Sequence, residues 1–133
     1  MILGGNGFGR IHGGPGNDRI TVGNRSSTVH TGPGVNTVTA APARHSFHIG
    51  PGENTVTGGG AGASYHIAYG GVCRITDWHP GEKLVLEGWP GPARISVEAG
   101  ETLLTLGLSV VILEGVTDPA AVTAMLEQVP APV

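Results

Sequence analysis

The chain of 133 residues contains 24 glycines and 10 prolines, and its formal net charge at pH 7 is −3. This length allows one domain with one hydrophobic core, and a charged fraction of only 13% excludes a long-helix or coiled-coil protein. A hydrophobic content of 39% is too high for simple disorder, and the sequence has no run of about 18 apolar residues that would predict a membrane span.

A nine-residue repeat organises the sequence from Gly4 to His66 into seven consecutive units. Most units begin with a stretch rich in glycine and proline, such as Gly13-Gly14-Pro15-Gly16, which predicts a tight turn. The eighth place of every unit is apolar, and it holds Ile11, Ile20, Val29, Val38, Phe47, Val56 and Tyr65. A short fixed period with one apolar residue per unit predicts a solenoid, in which two units form one coil and each unit buries one large side chain.

The repeat resembles that of a known family. The unit Gly13-Gly14-Pro15-Gly16-Asn17-Asp18-Arg19-Ile20-Thr21 is similar to the nonapeptide of RTX proteins, the hemolysin-type calcium-binding repeats. The segments 75–78, 80–86, 102–106 and 110–117 resemble the region C-terminal to such repeats in serralysin-type and other type I-secreted proteins. The resemblance implies an all-β, right-handed parallel β-roll with calcium between stacked turns. It also implies an extracellular or cell-surface protein that is exported without an N-terminal signal peptide, and Met1–Gly5 lacks the pattern of such a peptide.

The resemblance places calcium ligands at the sixth place of stacked units and in the turns. On one side of the roll the sixth places are Asp18, Asn36 and Asn54, whereas the sixth places on the other side include no carboxylate. The candidate calcium set implied by the family is Gly13, Gly14, Gly16, Asp18, Gly32, Gly34, Asn36, Gly50, Gly52, Asn54 and Asp77. Because loss of carboxylates weakens calcium binding, two alternatives stay open. Either these residues bind calcium weakly, without folding requiring it, or proline stiffens the turns and the asparagines cap them.

The ninth places alternate between histidine and threonine, so that four histidines recur every 18 residues: His12, His30, His48 and His66. Residues one coil apart lie on neighbouring strands, and side chains next to an inward residue point outward. The spacing therefore predicts an outward ladder of stacked imidazoles, and their mutual repulsion should lower their pKa values. Three interpretations stay open: internal duplication with modest stabilisation, a contact face for another subunit or copy, and a transition-metal site. For the metal site, no carboxylate or cysteine stands at a matching place.

The composition divides the chain into a nonapeptide-repeat roll over 1–76 and a C-terminal cap over 77–133. Five arginines and two carboxylates give the first region a charge of +3, and two cations and eight carboxylates give the second −6. Apolar segments at 84–87, 94–98, 102–106 and 109–114 predict strands of an antiparallel cap, sealed by Trp78 and Trp89. Asp118-Pro119 predicts the start of a short helix over 119–127 with Val122, Met125 and Leu126 facing inward.

The sequence carries no His-Glu-x-x-His motif, no Gly-x-Ser-x-Gly elbow and no phosphate-binding loop, so we expect no enzyme. The single cysteine, Cys73, is expected to be a small buried hydrophobe. No pattern points to nucleic acid or to a small-molecule substrate. The expected function is a secreted RTX-like module with a structural or binding role and at most weak calcium binding. The alternative is a calcium-independent subunit that assembles with itself or within a larger particle, through its histidine ladder or an open N-terminal coil.

Overall fold

The computed structural model describes residues 2–3, 9–13, 16–23, 26–59, 62–78, 82–89, 93–107 and 109–129. In chain order, its elements are β1 (Ile2–Leu3), β2 (Gly9–His12), β3 (Arg19–Val22), β4 (Ser27–His30), β5 (Gly34–Ala40), β6 (Ser46–Ile49), β7 (Gly52–Thr57), β8 (Ser64–Ala68), β9 (Val72–Ile75), β10 (Lys83–Glu87), β11 (Arg94–Glu98), β12 (Glu101–Leu106), β13 (Ser109–Glu114), α1 (Pro119–Met125) and β14 (Leu126–Val129).

The strands of the repeat region alternate between two parallel sheets. One sheet has the order β1-β3-β5-β7-β9-β13-β12-β11, and the other has the order β14-β10-β8-β6-β4-β2. Equivalent residues in successive coils are 18 positions apart, as in the pairs Ile20↔Val38 and Val38↔Val56. The predicted all-β solenoid is confirmed: the chain forms a stacked parallel β-solenoid of about four turns.

The core lies between the two sheets. Every eighth-place side chain is buried as predicted, with exposure of at most 8%. The prediction of one buried side chain per unit was too low. Side chains alternate along a strand, so the sixth place of a unit and the first place of the next unit point inward together with the eighth place. Val22, Ile49 and Ile67 extend the core from the first places, while Asn36 and His45 bring polar side chains into it from the sixth places.

The parallel stacking continues past residue 76 into the cap. β10 pairs in parallel with β8, and β13 pairs in parallel with β9. The last coil is one residue longer than the others, since Tyr65 pairs with Leu84 and Val56 pairs with Ile75, a spacing of 19. Of the four strands predicted for the antiparallel cap, β11, β12 and β13 pair in that way. The prediction was wrong for 84–87, because this segment lies in β10, which extends the parallel stack of β8. Trp78 and Trp89 are buried at 4% and 3% exposure.

The C-terminal helix α1 begins as predicted. The Asp118 side chain accepts a hydrogen bond from the Ala120 N–H (3.0 Å), and Pro119 is the first helical residue. The helix ends at Met125 rather than at 127, because the next residues pair in parallel with β10. This pairing satisfies backbone groups of β10 that would otherwise form an open sheet edge. In the described parts of the chain, no helix has the length and apolar character needed to cross a membrane.

Candidate functional site

Buried asparagines connect the turns on the side of the roll where calcium was predicted. The Oδ1 of Asn36 accepts from the Asp18 N–H (3.0 Å), and the Oδ1 of Asn54 accepts from the Nδ2 of Asn36 (2.9 Å). The two Nδ2 groups also donate to the carbonyls of Gly32 and Gly50, at 3.2 and 3.0 Å. These bonds correspond to the alternative in which asparagine side chains cap the turns in place of calcium.

The opposite side of the roll uses the same principle with different residues. His45, 1% exposed, accepts from the Ser27 N–H at Nδ1 (3.2 Å) and contacts the Ala41 carbonyl at Nε2 (2.8 Å). An acceptor role for Nδ1 requires the neutral tautomer in which Nε2 carries the proton and donates to that carbonyl. One coil further, Glu82 accepts from the Ala63 N–H at 2.9 Å. On both sides of the roll, therefore, a backbone N–H in a turn donates a hydrogen bond to a side chain of the next coil.

The two aspartates of the predicted calcium set have different surroundings. The carboxylate of Asp77 accepts from the Gly58 and Gly59 N–H groups, each at 2.8 Å. The Oδ2 of Asp18 is buried and has no hydrogen-bond partner among the described residues. It lies beside Gly13, where an added Cβ would come within 3.1 Å of it. The structure therefore brings Asp18, Asn36 and Asn54 into one row and uses Asp77 to cap a separate turn; Gly14 lies outside the described residues.

The histidine ladder forms as predicted on the outer face of the six-stranded sheet. His12, His30, His48 and His66 pair directly across β2, β4, β6 and β8. Their rings stack with centroid distances of 4.5, 4.5 and 4.6 Å and interplanar angles of 7°, 8° and 13°. The largest tilt is at the step between His48 and His66, next to the cap.

The two middle histidines of the ladder have lowered pKa values. Partial burial lowers the pKa of His30 below 6.5, and His12 and Arg10 lower it further by charge repulsion. Partial burial likewise lowers the pKa of His48, with further lowering from His66, His30 and Arg10, while Glu87 acts in the opposite direction. Burial is therefore the largest single cause of the lower pKa values, and the repulsion expected from the sequence adds to it.

We expect the free energy of unfolding to decrease as the pH falls below about 6.5. His30 and His48 titrate at lower pH in the folded chain than in the unfolded chain, so the unfolded chain takes up protons first and is stabilised. Melting followed by circular dichroism between about pH 7.5 and pH 5 with EDTA measures this change. The double variant His30→Gln, His48→Gln is the control, because it retains every carboxylate. An equal decrease in the variant would show that the ladder does not contribute.

Glu87 is the functional candidate that the sequence did not reveal. It lies on β10, opposite Ala68 of β8, and its Oε2 is 3.8 Å from the Nδ1 of His66. The sequence-based statement that no carboxylate matches the ladder is therefore wrong. The available signal was the alternation of Lys83-Leu84-Val85-Leu86-Glu87, which aligns Leu84 and Leu86 with the inward residues of β8.

Away from the ladder, a pocket of 520 Å³ lies between the start of the cap and α1. Its carboxylates already have partners: Asp77 caps Gly58 and Gly59, Glu114 pairs with Arg74, and Asp118 caps the helix. Cys73 is not a candidate nucleophile, because burial raises the pKa of its thiol to about 12 and keeps it protonated at neutral pH. The histidine ladder with Glu87 is thus the better candidate site.

Comparison with known proteins finds no family model, curated protein or solved structure that matches this chain.

Proposed function

We propose that this chain is a non-enzymatic β-roll module of the RTX type, exported from the cell, with a structural or binding role and no requirement for calcium. The observation that carries the proposal is the row of inter-coil hydrogen bonds. Asn36 and Asn54 are 1% and 3% exposed, and their amides occupy the place where the family has calcium ligands. The turns are therefore held together by the chain itself.

The oxygen donors on this side are a poor set for calcium. Calcium takes about six to eight oxygen ligands, whereas the amide oxygens of Asn36 and Asn54 already accept hydrogen bonds and both oxygens of Asp77 accept backbone N–H groups. Asp18 is the one carboxylate residue of this row, and its Oδ2 is buried without a hydrogen-bond partner among the described residues. A row with a single carboxylate supports weak calcium binding at most.

The absence of a requirement for calcium is tested by thermal melting of the full chain. We expect the chain to be folded in EGTA, with a Tm within about two degrees of that in about millimolar Ca²⁺, because at most weak binding is linked to folding. A Tm that rises by several degrees with Ca²⁺ would contradict the proposal.

The same melting experiment tests self-association, the second candidate function. Within the described residues, β2 has β4 as its strand neighbour, which leaves its other edge available for another copy. Melting is therefore repeated at two protein concentrations about tenfold apart. A Tm independent of concentration supports a monomeric module, and a Tm that increases with concentration shows that folding is coupled to assembly.

A further inference from the structure

We propose that His48, His66 and Glu87 form a surface site for a divalent transition metal ion such as Zn²⁺. One ligand atom from each of the three side chains lies within 4.8 Å of the other two. Two imidazole nitrogens and one carboxylate oxygen are the donors of known zinc sites that keep a position open for water or another ligand. This inference does not depend on whether the module needs calcium.

The pairing of three strands creates this juxtaposition. His48 on β6 lies directly opposite His66 on β8, and Val85 on β10 lies opposite His66. Glu87 follows Val85 by two residues, so that it projects from the same face of the strand. The small side chain of Ala68, directly opposite Glu87, leaves the carboxylate free to reach diagonally towards His66.

The electrostatics of this corner favour a cation. The Nδ1 of His66 is buried without a hydrogen-bond partner among the described residues, and the Oε2 of Glu87 is 3.8 Å away. These two atoms face each other across a gap that no hydrogen bond fills, and a cation placed between them would be bound by both. Zn²⁺ with bonds of about 2.0–2.1 Å holds two tetrahedral ligand atoms about 3.4 Å apart. Movement of less than half an ångström therefore brings this pair to the distance that zinc requires.

The surroundings of the site leave room for the ion. A pocket of 260 Å³ lies beside the ladder and is lined by His48, His66 and Glu87 together with residues such as Ile49 and Gly50. The two imidazoles must tilt towards each other for their lone pairs to converge on one ion. The step between them already has the widest interplanar angle of the ladder, 13°.

The test is a calorimetric titration of the full chain with Zn²⁺ in a non-chelating buffer. We expect one ion per chain, with the affinity reduced at least about tenfold in Glu87→Gln and in His66→Asn. The matched control is His12→Asn, which removes a ring from the far end of the same ladder, and its affinity should equal that of the wild type. Circular dichroism of each variant checks that the fold is retained.

A second measurement identifies the ligands independently of affinity. Substoichiometric Cu²⁺ should broaden the imidazole NMR signals of His48 and His66 and leave those of His12 sharp. The proposal is overturned if Zn²⁺ does not bind, or if Glu87→Gln binds as tightly as the wild type. It is also overturned if His12→Asn weakens binding as much as His66→Asn, or if one ion joins two chains as seen by light scattering.

Discussion

Gly34→Ala is expected to destabilise the protein by about 3–5 kcal/mol, which is a large part of the stability of a small domain. Gly34 has a φ of +117°, and a Cβ at this position would lie 2.2 Å from the carbonyl oxygen of Gly16 in the previous coil. The substitution therefore adds a backbone clash to the cost of a left-handed conformation. Urea unfolding followed by circular dichroism measures the loss.

Gly16→Ala is the matched control for this clash. Gly16 belongs to the same row and has a similar φ of +106°, but no described atom lies within 4 Å of its added Cβ. Its substitution should cost only the conformational penalty of about 1–2 kcal/mol. Equal losses of unfolding free energy in the two variants would show that the backbone of the previous coil does not clash with a Cβ at position 34.

Asn36→Asp is expected to destabilise the protein by about 3 kcal/mol in EGTA. The aspartate keeps an acceptor for the Asp18 N–H but loses the two donations to the Gly32 carbonyl and to Asn54. It also turns a carboxylate oxygen towards these two acceptors in a site with 1% exposure. Urea unfolding in EGTA measures this loss.

The same variant should acquire a response to calcium. With carboxylates at positions 18 and 36, about millimolar Ca²⁺ should restore part of the lost stability, because calcium affinity increases with ligand charge. Asn17→Asp is the control, since it adds the same charge at an exposed neighbouring position whose Oδ1 accepts from the Val35 N–H. An Asn36→Asp protein as stable in EGTA as the wild type would show that the amide bonds do not hold the turn.

The sequence was most informative where one periodicity continued without interruption. The nine-residue repeat places Val38, Phe47 and Val56 inward, and it places His30 and His48 on neighbouring strands, so both the core and the stacked ladder could be predicted. A strand repeats every two residues and a coil here every 18, and both periods can be read directly from the chain.

Features beyond the repeat depended on pairings that no period specifies. The approach of Glu87 to His66 requires that β10 stack in parallel on β8 after a coil lengthened to 19 residues. The strand at Leu126–Val129, which begins inside the predicted helix over 119–127, likewise results from the backbone edge that β10 offers. Local helix signals such as Asp118-Pro119 determine where α1 begins, whereas tertiary pairing determines where it ends.

The bonding between successive coils makes the length of the roll adjustable. Among the described residues of the roll, each coil is bonded to the coils directly before and after it, as β5 is to β3 and β7. A second copy of residues 31–48 would therefore add one histidine and one asparagine to their rows while leaving the cap and its contact with the last histidine unchanged. The length of the roll can therefore change in steps of about 4.8 Å, the spacing between neighbouring strands, with each added coil.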